Sequence, residues 1–484
     1  MNDKKYKGLG TNALLNAIRN GLSIIFPLIT YPYAFRVLHA EGIGKVNYAV
    51  SIVNYFLLFA ALGISEYAVR EGAKIREKHR QINIFAGQIF TIHLTMTLLS
   101  YSALSILLFC SANLRPYREL VILSSLTIIF TTIGVEWINT IYEDYLYITV
   151  RSIAAQVITL ILLFLMVRNE EDVCQYALLT VISGGGVALM NLFHCRKYIK
   201  LHLTRKLNLH IHMKPVLLLA ANKVAVSIYV NSDVTMLGWY CGNYYIGIYE
   251  IAIKIYTVVK RIMAAVYTVF VPRFSYYVGQ GDTDSIKRMY TRLVSTLTLV
   301  VVPAAVGLIF ISEKVILIMG GKEYIEAVPV LQILSVGLIG AVFGGEITYC
   351  LNIPLSREKN NIKATSFSAA VNILLNIMLI PRFKQNGAAV TTVISEFCVF
   401  IYCICSFKDI KEYLDFKKWR TALAHAAVGC VTVATVTVCV CYVTNNTIFH
   451  IILVLLFGML LYFAELLLLN DENVLEFIKK LRRL

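Results

Sequence analysis

Residues 448–469 read Ile-Phe-His-Ile-Ile-Leu-Val-Leu-Leu-Phe-Gly-Met-Leu-Leu-Tyr-Phe-Ala-Glu-Leu-Leu-Leu-Leu. At about 1.5 Å per residue the run makes a helix about 33 Å long, enough to cross the hydrocarbon core of a bilayer. Comparable runs lie near 11–35, 46–65, 83–110, 119–141, 151–168, 175–193, 215–238, 246–272, 291–312, 327–352, 364–380, 388–406 and 421–443, which with this one makes fourteen spans. The composition of the 484 residues agrees: 58% are hydrophobic and mean hydropathy is +0.69. Only 15% are charged, against about 25% in a soluble domain. An all-α polytopic membrane protein is the expectation. A soluble multidomain chain, a nucleic-acid binder and a large extramembrane catalytic domain are excluded.

The net charge of +16 has a sidedness. Alternate loops and the two ends collect 31 of the 45 Lys and Arg, the opposite loops hold nine, and five lie within spans. The positive-inside rule then puts both termini in the cytoplasm. The first apolar segment is interrupted by Arg19, Pro27 and Pro32, which departs from a signal peptide and reads as a retained helix. The 11 cysteines include no C-x-x-C pair and read as small hydrophobes. No metal site, cofactor or catalytic residue is expected.

Ile43-Gly44 with Ala49 and Ile246-Gly247 with Ala252 repeat at an offset of 203 residues. Each pair opens the second helix of a six-helix set. Two lobes, 1–200 and 201–410, would then be related by a pseudo-two-fold axis along the membrane normal. Residues 411–484 add two helices and a tail. Lobes of this kind leave a central cavity.

Charge at bilayer depth is costly and normally faces a bundle interior or water. The first helix places Asn16, Arg19, Asn20 and Ser23 on one face, with Arg19 the only deep charge in the N-terminal set. The seventh places Asn222, Lys223, Ser227 and Asn231, and the eighth carries Glu250, Lys254, Thr257 and Arg261 as one stripe. Neutral stripes follow on helix eleven (Thr365, Ser368, Asn372, Asn376) and helix two (Asn47, Ser51, Asn54). A cationic cavity lined by amides is expected, with Arg19, Lys223, Lys254, Arg261, Asn16, Asn372 and Asn376 binding an anionic, hydroxyl-rich cargo. Snorkelling to the cytoplasmic interface is the competing account of Arg19 and Lys223. Glu396, near the middle of helix twelve, either couples an ion or balances a buried Lys.

Phe26-Pro-Leu-Ile-Thr-Tyr-Pro-Tyr-Ala-Phe-Arg-Val-Leu38 with Glu41-Gly-Ile-Gly44 resembles the opening of bacterial polysaccharide flippases of the Wzx type. So do Gly134-Val-Glu-Trp137, Tyr142-Glu-Asp-Tyr145 and Ile148-Thr-Val-Arg151, and Asp233-Val-Thr-Met-Leu-Gly238 followed by Ile246-Gly-Ile-Tyr249. The resemblance implies the fold of the multidrug/oligosaccharidyl-lipid/polysaccharide exporter superfamily. It also implies a flippase carrying undecaprenyl-pyrophosphate-linked oligosaccharide to the outer leaflet for O-antigen, capsule or exopolysaccharide synthesis. That cargo, membrane lipids, a polysaccharide polymerase and glycosyltransferases are the implied partners. A lipid II flippase or a drug-cation exporter of the same superfamily is the alternative, and a membrane polymerase is disfavoured because the outside loops are short.

Overall fold

The computed structural model describes residues 9–407 and 410–481, with the side chains of residues 9–14, 16, 222, 477, 480 and 481 left aside. Asn16 and Asn222 therefore lie outside the described residues as side chains. All regular structure among the described residues is helical. Contacts divide the chain into two compact units, Met1–Gly238 with Gly242–Gly247 and Trp239–Cys241 with Ile248–Leu484.

The helices run α1 (Leu9–Ala61), α2 (Ile64–Ile75), α3 (His79–Cys110), α4 (Arg118–Ile133), α5 (Glu136–Ile141), α6 (Tyr145–Met166), α7 (Val173–His194) and α8 (Leu209–Tyr240). They continue with α9 (Asn243–Thr268), α10 (Val271–Gln280), α11 (Thr283–Met319), α12 (Ala327–Glu346), α13 (Glu358–Ser406) and α14 (Ile410–Tyr413). The last three are α15 (Phe416–Val443), α16 (Thr447–Leu468) and α17 (Glu472–Leu481). Among the described residues, twelve stretches are long and apolar enough to cross a membrane.

Two of the twelve hold two crossings each, which recovers fourteen. In α1, Thr149 Oγ1 donates to Leu15 O (3.2 Å) and Tyr33 OH to Val167 O (2.7 Å), so residues 15–33 climb beside α6. The backbone leaves helical geometry at His39 (φ 57°, ψ 175°). Gly42 then packs on Val173 at the start of α7, while Leu62 and Ile64 join Ile199 and Cys195 in the core at the other end. The chain has turned back. In α13 the break is Lys384 (φ 51°, ψ −130°). Ser368 Oγ donates to Ser395 O at 2.8 Å, whereas 27 residues of straight helix would separate them by about 40 Å.

The span expected over 119–141 is not continuous. It ends at Ile133 and resumes as the short α5 after Val135, whose φ of 36° is left-handed. A Cβ on Gly134 would stand 2.8 Å from Phe130 O and 3.2 Å from Ala188 Cβ, so only glycine lets this elbow lie against α7.

The glycines of the internal repeat meet. A Cβ on Gly44 would fall 1.9 Å from Asn243 O, and one on Gly247 would fall 2.0 Å from Ala40 O. Gly44 and Gly247 are 203 residues apart, as are Ala40 and Asn243. Each glycine thus seats the partner motif's carbonyl in the same way, a reciprocal close approach that any side chain would block. Glu41 accepts from Asn243 Nδ2 (2.9 Å) beside it.

In the second unit α15 lies along α11 and α16 packs on both, with Trp419 Nε1 donating to Thr298 Oγ1 (3.1 Å) and Tyr462 OH to Leu299 O (2.8 Å).

Candidate functional site

In the first unit the elbow after α4 presents Glu136 at the N-terminus of α5. Its Oε1 stands 3.6 Å from Arg19 on α1 and 3.2 Å from Arg151 on α6. Arg151 is buried (side chain 3% exposed), while Arg19 and Glu136 are 37% and 45% exposed. Asn191 of α7 accepts from Arg151 and from Asn139 Nδ2 (2.9 Å), and the Arg151 guanidinium lies 5.7 Å from the Tyr147 ring centre. One carboxylate thus bridges two arginines and leaves the group cationic.

Two expectations change here. Arg151 was counted among loop cations, but it sits in the first turns of α6, buried against α7. Arg19 is accordingly not the sole charge set among the helices of this unit. The motifs Gly134–Trp137 and Ile148–Arg151 carried both partners, yet placing Arg151 in a loop hid the pairing.

Lys223 on α8 pairs with Glu66 in the first turn of α2. Farther along α8, Asn231 Oδ1 accepts from Asn54 Nδ2 (3.1 Å), and Thr235 Oγ1 lies 3.1 Å from Ser51 Oγ and 3.3 Å from Tyr55 OH. The polar stripe of the second half of α1 therefore meets the stripe of α8 as a seam, with Ser51 and Thr235 buried.

In the second unit Glu250 is buried and takes Lys254 Nζ at 3.1 Å. The α9 stripe grades from buried Glu250 to exposed Arg261, which has no ion pair among the described residues. Glu396, on the returning limb of α13, pairs with Lys260 and accepts from Tyr256 OH (3.1 Å). Lys260 lies beside the α9 stripe in sequence, and its pairing with Glu396 fits the reading of Glu396 as the balance of a buried Lys.

Asn372 and Asn376 lie elsewhere than expected. Both are fully buried, Asn376 Nδ2 donates to Asn372 Oδ1 (3.1 Å), and Thr391 Oγ1 donates to Asn376 Oδ1 (2.5 Å). With Ser368 bonded to Ser395 they tie the two limbs of α13 together. In this structure the two amides are shut between the limbs, where they hold the limbs together. A stripe of Asn and Ser looks the same in sequence whether water or another helix covers it.

At the ends of α6 and α7, Asp144 accepts from His194 Nε2 (2.9 Å) and Tyr198 OH (2.6 Å), and Tyr147 stacks on His194 with ring centres 3.6 Å apart. Burial pushes the Asp144 carboxyl up, but these hydrogen bonds outweigh it and hold the group below the ordinary carboxylate range.

The family model described as polysaccharide biosynthesis protein matches residues 9–278, and one described as MatE matches residues 219–381. A putative O-antigen transporter of Shigella dysenteriae is 21% identical over 402 residues, covering 82% of this chain and 99% of that one. One of Escherichia coli strain K12 is 23% identical over 415 residues, 82% of this chain and 95% of the relative. Among solved structures, the lipid II flippase MurJ in an inward closed conformation superimposes with a TM-score of 0.76 at 16% identity, over 93% of this chain and 98% of the other. The chain shares the fold of that structure.

Proposed function

The chain belongs to the polysaccharide biosynthesis protein family, and from that premise we propose that it is a flippase for lipid-linked oligosaccharide. The cargo in this reading is an undecaprenyl-pyrophosphate-linked repeat unit, moved from the inner to the outer leaflet of a bacterial cytoplasmic membrane. It would feed O-antigen, capsule or exopolysaccharide synthesis, beside a polymerase and glycosyltransferases. Both termini stand in the cytoplasm, and the lobes 1–200 and 201–410, with 411–484 appended, rock about the cargo. The O-antigen transporter relatives, matched over nearly their full length, support the cargo class.

The observation that carries the reading is the way the membrane cations are held. Arg19 leans on Glu136, Lys223 on Glu66 and Lys254 on Glu250, each cation held at least in part by an internal carboxylate. A cation alone among apolar helices costs several kcal/mol, so an internal carboxylate keeps it charged between cycles. An arriving pyrophosphate offers a stronger, multidentate anion and replaces the carboxylate. Arg261, exposed on the same stripe of α9, adds a fourth contact. The Lys260–Glu396 pair, set between α9 and the returning limb of α13, is the candidate coupling element. No covalent chemistry is involved.

Flipping of a defined undecaprenyl-pyrophosphate glycan in vesicles, run for Arg19→Gln, Lys223→Gln, Lys254→Gln and Arg261→Gln singly and combined, tests the reading. Loss that deepens with each added substitution is expected. Wild-type rates in every single variant and in the combined one would refute it. The fold likeness to MurJ favours lipid II as the rival cargo, and transport of lipid II with no transport of the glycan would establish that rival.

A further inference from the structure

A cavity of about 840 Å³ opens in the second unit where α10, α11, α15 and the start of α17 meet. None of the groups discussed above lines it. Its acids are already engaged: Asp471 holds His425 (2.8 Å), Glu472 holds Lys418 (2.5 Å) and Glu476 holds Arg292. Asp415 caps α15 by accepting from the backbone of Lys417 and Lys418. The lining also carries Arg273 from α10 and Lys287 and Arg288 from α11. These three cations form no close ion pair among the described residues; Arg288 donates to Ser285 Oγ (2.9 Å) and acts only at longer range on Asp282. The surplus is local and positive, in a concavity with hydroxyls at hand.

The surroundings say which anion fits. Leu469 forms part of the cavity lining. It closes α16, an almost wholly apolar helix that its neighbours leave largely uncovered, with Leu468 83% exposed. Next to the cavity, therefore, lies a helix face built for acyl chains. Basic pockets between membrane helices on the cytoplasmic side recognise anionic headgroups by this combination. We propose that the cavity binds the phosphate headgroup of an anionic phospholipid in the cytoplasmic leaflet, through Arg273, Lys287 and Arg288. The leaflet rests on the orientation proposed above; the binding does not.

The test uses the full chain in detergent, with phosphatidylglycerol as ligand, phosphatidylethanolamine as the zwitterionic comparison and native mass spectrometry as the readout. Arg273→Gln/Lys287→Gln/Arg288→Gln is compared with Arg196→Gln/Lys197→Gln/Lys200→Gln, which removes the same charge from the loop after α7. Selective phosphatidylglycerol binding that weakens about a hundredfold in the first triple variant and holds in the second is expected. Equal loss in both variants, equal retention in both, or no preference over phosphatidylethanolamine overturns the proposal. Displacement of phosphatidylglycerol by equimolar inorganic phosphate overturns the headgroup and assigns the site to a soluble phosphate. A chain that flips no glycan yet keeps selective binding leaves this site standing, so the two readings fail separately. Unchanged melting of the lipid-free variants checks that each is folded.

Discussion

Glu136 serves two arginines with different needs. Arg151 is enclosed by α6 and α7, so removing its carboxylate strands a buried charge. Arg19 is more than a third exposed and is less confined by its neighbours. Arg151→Met, which also removes one of the two donors to Asn191, is expected to lower stability by about 3 kcal/mol in denaturant unfolding. Arg19→Gln is expected to cost under about 1 kcal/mol of stability while sharply reducing glycan flipping. Equal destabilisation by both would mean that Arg19 is structural.

Asp144 makes a pH prediction with a definite sign. Its pKa is depressed in the folded protein by Tyr198 and His194 after opposing burial. Its stabilising contribution is therefore fully present above the unfolded carboxyl value of about 3.9 and disappears as pH falls through the lower folded value. Asp144→Asn should melt below the wild type at pH 7, and the gap should close in acid; a gap independent of pH would contradict the assignment.

At the scale of elements, the helix breaks and the glycine crossing do the shaping. Gly44 and Gly247 each press on a backbone carbonyl, which cannot rotate away as a side chain can. Gly44→Val or Gly247→Val should force the crossing apart, costing several kcal/mol and abolishing flipping. Gly184→Val on α7, where a Cβ meets nothing within 4 Å, should be nearly neutral. The measurements are thermal melting and cysteine cross-linking between positions 41 and 243. Persistent wild-type cross-linking in Gly44→Val would show that the crossing tolerates a side chain.

The reversals at His39 and Lys384 were legible as gaps between hydrophobic runs, and Arg36, Lys45, Arg382 and Lys384 mark them by charge. The elbow at Val135 was not. Its flanking residues are apolar, so the hydropathy of 119–141 stays continuous through a turn that glycine and one left-handed residue create.

Over the whole molecule, charge sidedness makes a prediction independent of any site. Single cysteines introduced near Arg205 and Arg357 should react with a membrane-impermeant thiol reagent only from the cytoplasmic side, and those near Arg115 and Lys322 only from outside. One reversed pair would overturn the orientation.

Fourteen crossings and the glycine repeat could be read from the chain because a bilayer forces each backbone hydrogen bond to be made locally, inside the helix that needs it. Every span then advertises itself by length and apolarity, and a close helix approach by glycine. The partners of the polar side chains were decided only by tertiary structure. Glu136 reaches Arg19 across 117 positions of chain, Glu66 reaches Lys223, and Glu396 reaches Lys260. A cation facing a carboxylate on a distant helix, one facing water and one facing another helix obey the same local periodicity. It is the packing of separate helices, through side chains with no fixed sequence spacing, that determines which of these each becomes.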